Sequence, residues 1–182
     1  MIEEALLTQA DFEGYRDISS NIDFETRLKP WILEAQKQEL RNFLGPKLYL
    51  ALIEDYTPGS GFTEQRFIDL WEGKDEAGEY RYYGLKPVLI YFSYARFLKN
   101  QSQVVTRYGV KSLSREESEN YSPVGTRTKQ GESENMALSL QAEAESFIND
   151  NKNDYPEFSF TKGQPNSKNI YHNVRPGRYY KL

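Results

Sequence analysis

Leu85–Leu98 reads LKPVLIYFSYARFL, and ten of its fourteen residues are aliphatic, aromatic or alanine. Only Lys86 and Arg96 carry charge. In a chain with a mean hydropathy of −0.77, no other stretch concentrates so much apolar surface. Val88, Leu89, Phe92, Ala95 and Phe97 or Leu98 fall on one helical face, while Ile90, Tyr91 and Tyr94 spread round the others. A helix apolar nearly all round is enclosed by its neighbours. The spacing therefore predicts a central helix, and its tyrosine side is the part best suited to meet another subunit.

The covering elements come from two other helical patterns. In residues 19–61, cap-type residues (Ser19, Ser20, Asn21, Asp23) precede Phe24, Leu28, Ile32, Ala35, Leu40 and Phe43 or Leu44, spaced as one face. Gly45-Pro46 punctuates this run, and KLYLALIEDY continues it as a shorter helix ended by Thr57-Pro58-Gly59. Pro30 is awkward inside a helix and comfortable at its start, so the helix either begins there or kinks there. LKPWIL at Leu28 and LKPVLI at Leu85 enter their helices in the same way. The second pattern is Met136, Leu140, Ala144, Phe147 and Ile148, with Ser133 placed to cap. Between these, Phe67, Leu70 and Trp71 predict a short amphipathic helix after a cap at Thr63, and GKDEAGEYRYYG (residues 73–84) reads as a polar loop.

Two segments do not fit a helical body. Residues 104–131 mix strand-type VVTRYGV with Ser, Glu and Asn, which predicts a projecting loop or short β arm. Residues 159–182 hold five basic residues and no acid, interleaved with Ile170, Tyr171, Val174, Tyr179 and Tyr180. The whole chain has a formal charge of −4, so residues 1–158 carry −9. The tail is too rich in Gly, Pro and Asn for a helix and too apolar to be a solubilising tail. It is expected to order against its own acidic body, another protein or nucleic acid, the last through phosphate contact and stacking. The expected fold is therefore mainly α: a small three- to four-helix bundle over residues 1–158, with a projecting arm at 104–131 and an extended tail at 159–182.

Catalytic chemistry has little to work with. There is no cysteine, and the single histidine, His172, lies in the tail. Thiolate nucleophiles, Cys-based metal sites, His-based triads and two-histidine metal sites are all excluded. Glu116, Glu117, Glu143, Glu145, Asp150 and Asp154 read as solvated surface, and neither GPKLYL nor GVKSLS is a phosphate loop. The expectation is a protein that is not an enzyme and uses no metal or cofactor. The N-terminus is acidic and lacks a long apolar run, and no segment has the roughly 18 apolar residues of a membrane span, which predicts a soluble chain.

The order of features resembles the small α-helical head–tail connector (adaptor, or head-completion) proteins of tailed bacteriophages, closest to those of Bacteroidota and crAss-like phages. The matching run is LLTQADFEGYRDISSNID, then LKPWILEAQKQELRNFLGPKLYLAL with its EAQ and LGPKLY tags. LKPVLIYFSYARFL, TRYGV and AEAESFINDNKNDYPEF complete it, over roughly residues 5–158. The tail after Phe158 is not part of the pattern. The resemblance implies a virion protein, assembled in the host cytoplasm, that forms a ring, commonly of twelve copies. Such a ring docks on the portal protein, extends the DNA channel without reading the DNA, and carries the next tail component. On this reading the partner-contacting residues are Arg107, Tyr108 and Val110 in the arm and Tyr171, His172, Arg175, Arg178, Tyr179 and Tyr180 in the tail. The alternative reading is a nucleic-acid-associated accessory protein that uses the basic tail.

Overall fold

The computed structural model describes residues 4–16, 18, 22–76, 80–100, 103–106, 109–112 and 123–158. Its fold is mainly helical, as the periodicity predicts. The first helical run opens at Asp23, whose carboxylate accepts a hydrogen bond from the Thr26 N–H at 3.2 Å. A wide turn over Phe24–Leu28 leads into α1 (Lys29–Ala35), and a second wide turn over Gln36–Leu40 leads into α2 (Arg41–Asp55). In each wide turn the hydrogen bond spans five residues rather than four: Lys29 N–H to Phe24 C=O, and Arg41 N–H to Gln36 C=O. That extra residue explains the spacing of five between Ala35 and Leu40, both of which are buried together with Leu28, Ile32 and Leu44. Pro30 lies in the first turn of α1, seven residues into the run that opens at Asp23. Neither a fresh start nor an abrupt kink is found there: the widened turn just before Pro30 accommodates the helical N–H that it lacks. Gly45, at φ 74°, breaks α2 after Leu44, and Pro46 begins its second piece.

Helix α3 (Gln65–Glu72) is capped by another helix's carboxylate. Asp55, the last residue of α2, accepts from the Thr63 N–H at 2.8 Å, the Thr63 hydroxyl and the Glu64 N–H at 3.1 Å. Thr63, expected to cap α3, is instead held by that carboxylate. An anion at a helix N-terminus satisfies orphan donors and complements the helix dipole.

The polar loop expected at residues 73–84 is a hairpin. β1 (Lys74–Glu76) pairs antiparallel with β2 (Tyr80–Tyr82) in the register Lys74↔Tyr82. Strands of three residues are too short to show an alternating pattern. At the hairpin's neck the main chain crosses itself so closely that a Cβ on Gly73 would overlap the Tyr82 carbonyl, and one on Gly84 the Trp71 carbonyl. Tyr82 turns inward, donates from its hydroxyl to the Leu70 carbonyl at 2.9 Å, and stacks on Phe147 at 4.2 Å between ring centroids.

LKPVLIYFSYARFL forms α4 (Leu85–Asn100), with Leu85, Val88, Leu89, Ile90, Ala95, Phe97 and Leu98 buried. It is covered by α1 on one side and on another by α5 (Pro123–Asp150), with α3 also in contact. This is the cover the sequence predicts. Ser93 is buried at no cost in hydrogen bonding, since its hydroxyl donates to the Leu89 carbonyl at 2.7 Å. Arg96 reaches out of the same helix to Glu39 at 2.6 Å and Glu34 at 2.5 Å, fastening α4 to the first helical run.

α5 begins at Pro123, ten residues before the cap expected at Ser133. The reading of 104–131 as loop or arm throughout is therefore corrected: its last part is helix. Polar residues and the glycines at 125 and 131 mask the periodicity there, and packing on α4 overrides the weak propensity. Ser133 is instead a buried mid-helix residue that donates to the Lys129 carbonyl at 2.9 Å. The inward face of α5 carries Ala137, Ala144, Phe147 and Ile148, while Met136 is 45% exposed and leaves the predicted stripe. Between α4 and α5, β3 (Gln103–Thr106) pairs antiparallel with β4 (Gly109–Ser112), the expected short β arm. Arg66 then clamps the chain beyond α5 by bonding Glu157 at 3.0 Å and the Asp154 carbonyl at 2.9 Å.

The N-terminal segment is fixed by a buried amide. Gln36, fully buried in the second wide turn, accepts from the Leu6 N–H at 2.8 Å and donates to the Glu4 carbonyl at 3.1 Å. Gln36→Met keeps the side chain's length but orphans both groups, and should lower unfolding stability by about 2 kcal/mol in urea titrations. A Cβ at Gly131 meets open space inside α5, so Gly131→Ala should raise stability by about 1 kcal/mol in the same assay.

Candidate functional site

Two clefts flank the N-terminal segment where it crosses the helices. The first is built from a turn, a central helix and a covering helix. After the short helix Gln9–Phe12, whose Phe12 is buried, the chain turns at Gly14 and lays Tyr15 and Arg16 across α4. Tyr91 and Tyr94, three residues apart, share that face of α4. The Arg16 guanidinium lies 4.7 Å from the Tyr91 ring centroid and 5.7 Å from that of Tyr94, and Tyr15 meets Tyr91 edge-on at 6.2 Å. α5 adds Lys129, Glu132 and Ser133, and the cleft so enclosed has a volume of about 320 Å³. Arg16 Nε is buried without a hydrogen-bond acceptor among the described residues.

The second cleft, about 340 Å³, lies on the other side of the segment. Its apolar wall is Tyr56, Phe62 and Trp71, in a chain of ring contacts at 5.2 and 5.4 Å. Its charges are already satisfied internally, since Lys86 Nζ lies 2.9 Å from Asp11 and 3.3 Å from Glu72. Burial disfavours the Lys86 charge, but these two carboxylates more than offset it and raise the pKa. For Asp11 burial pushes the other way too, yet hydrogen bonds from Thr8 and the Lys86 charge hold its carboxyl below the usual range. This cleft is thus a charge-balanced seam between the N-terminal segment, α3 and α4.

The residues predicted to touch partners fall elsewhere. Val110 lies in β4, its backbone in register with Val105. Arg107 and Tyr108, which the pairing Thr106↔Gly109 leaves between the two strands, lie outside the described residues, as do Tyr171, His172, Arg175, Arg178, Tyr179 and Tyr180. The tyrosine side of α4, singled out from the sequence, does line a cleft, but Arg16 was not anticipated. Its signal was faint: a Tyr-Arg pair after a glycine, whose meaning depends on a helix 75 residues away in the sequence. Among the described residues no cluster of three or more His, Cys, Asp or Glu is arranged to hold a metal ion, and no helix is long and apolar enough to cross a membrane.

The Asp11–Lys86 pair makes the acid behaviour of the fold predictable. A carboxylate whose pKa is lower folded than unfolded stabilises the fold above the unfolded pKa, and that contribution is lost as pH falls through the folded value. Asp11→Asn should therefore be less stable than the parent at about pH 7. The difference should shrink below about pH 4, as read from urea midpoints at the two pH values.

No curated protein and no solved structure matches the chain. One family model does, over residues 40–168, a span that takes in α4, the β3–β4 hairpin and α5. The chain belongs to that family, described as a family of unknown function (DUF6712).

Proposed function

We propose that the chain is a structural subunit of an oligomeric ring at the head–tail junction of a tailed phage, docking on the portal and extending the DNA channel toward the tail. The observation that carries this reading is the position of the β3–β4 hairpin. The helical body closes on itself: α4 is covered, and the Arg96 and Arg66 clusters fasten its ends. Yet between the central helix and its main cover the chain inserts a two-stranded hairpin. An isolated two-stranded hairpin is marginal in water. A body that spends residues on such an arm, and follows its last helix with a basic, aromatic tail, is suited to reaching across neighbours. Rings need such heterologous contacts, in which one face of a subunit meets a different face of the next.

The body's charge of −9 also suits a DNA conduit, since an acidic wall repels the duplex and lets it slide. The family description names no activity, and the reading rests on the sequence resemblance together with this architecture. It assigns the chain no catalytic role and no cofactor.

The test is co-sedimentation of the full-length chain with assembled portal rings from the same genome, with stoichiometry read by native mass. The expected result is one chain per portal subunit. Deleting residues 159–182 should leave helical content and cooperative melting intact and abolish docking. A chain that stays monomeric and ignores the portal overturns the proposal. Salt-sensitive DNA binding that disappears with the tail would move the function to nucleic-acid association.

A further inference from the structure

Arg16 differs from the other partly buried arginines of the body. Arg66 and Arg96 each bond two carboxylates. Arg16 bonds none among the described residues, although its guanidinium lies over the Tyr91 ring and its Nε is buried. A guanidinium offers five donors in a fixed fork that matches a carboxylate or phosphate oxygen pair. A guanidinium over a tyrosine ring keeps its N–H donors available, and here Arg16 lines a cleft of about 320 Å³. A buried donor without an acceptor destabilises the fold that carries it, so an acceptor brought to this cleft would be favoured.

We propose that this cleft is a subunit contact, in which Arg16 receives an exposed carboxylate from a second copy of the chain. Charge complementarity selects the occupant. Residues 1–158 carry −9, so a neighbouring copy brings carboxylates to any contact. The cleft is lined by two cations, Arg16 and Lys129, and one anion, Glu132, a net single positive charge that one carboxylate balances. A contact whose donor lies on a different face from the receiving cleft is heterologous and able to close a ring. The inference rests on the ring reading and names the contact that reading requires.

The test compares the full-length chain with Arg16→Met and Arg16→Lys by sedimentation equilibrium across the range in which each stays soluble, with thermal melting alongside. The expected result is self-association of the parent, weakened about ten-fold or more by Arg16→Met and only partly restored by Arg16→Lys, which keeps the charge and loses the fork. At dilutions where both are monomers, so that association does not raise the parent's melting temperature, Arg16→Met should melt no lower than the parent, because it removes an unsatisfied buried donor; a purely structural arginine would instead lower the melting temperature. A parent that stays monomeric, a variant that associates as well as the parent, or inorganic phosphate that competes for the cleft would each overturn the proposal. Portal binding that survives Arg16→Met undiminished would leave the connector reading standing without this contact. Arg16-dependent association without portal binding would do the reverse.

Discussion

A helix with apolar residues around nearly its whole circumference has no solvent face, and the helices packed on α4 are placed by the need to cover it. The chain has few apolar residues to do it with, 38% by composition. It economises in two ways. Aromatic rings carry contacts over distance, as in the Tyr82–Phe147 stack that joins the small hairpin to α5. Where apolar cover gives way to charge, the charge is paired: Arg96 with Glu34 and Glu39, Lys86 with Asp11 and Glu72, Arg66 with Glu64 and Glu157. Pairs at such half-buried positions contribute less than a buried core residue, but leaving either partner alone there is costly.

That economy gives Arg16 its weight. In a body that neutralises its other half-buried cations internally, one guanidinium over a tyrosine ring borders an open cleft, with its Nε lacking an acceptor among the described residues. The same accounting separates the two clefts. The seam at Lys86 has its counter-ions in place and serves the fold, whereas the Arg16 cleft supplies donors that the fold does not use.

Much of this architecture was legible in the sequence, and the exceptions have physical causes. The central helix and its two covers were readable because burial on one face imposes a period. The wide turn at Gln36–Leu40 was visible only as an odd spacing of five, since a period of 3.6 has no place for it. The first ten residues of α5 were hidden because glycine and polar residues there carry no apolar signal, and long-range packing decides their conformation. The hairpin at residues 74–82 was hidden by its brevity. Of the candidate site, the tyrosine face of α4 could be read from spacing. Arg16 could not, because a cation's partner, or its lack of one, is a property of three dimensions.

The crossing of the main chain at Gly73 and Gly84 has a bearing on how family members can differ. It closes residues 74–83 at the neck through backbone contact alone, while Tyr82 anchors the inner end in the core. Asp75 and Arg81, paired with each other at 3.2 Å and well exposed, lie outside that anchor, so their identity can drift without passing strain inward. Such a cassette lets lineages alter one patch of surface while the helical body stays constant.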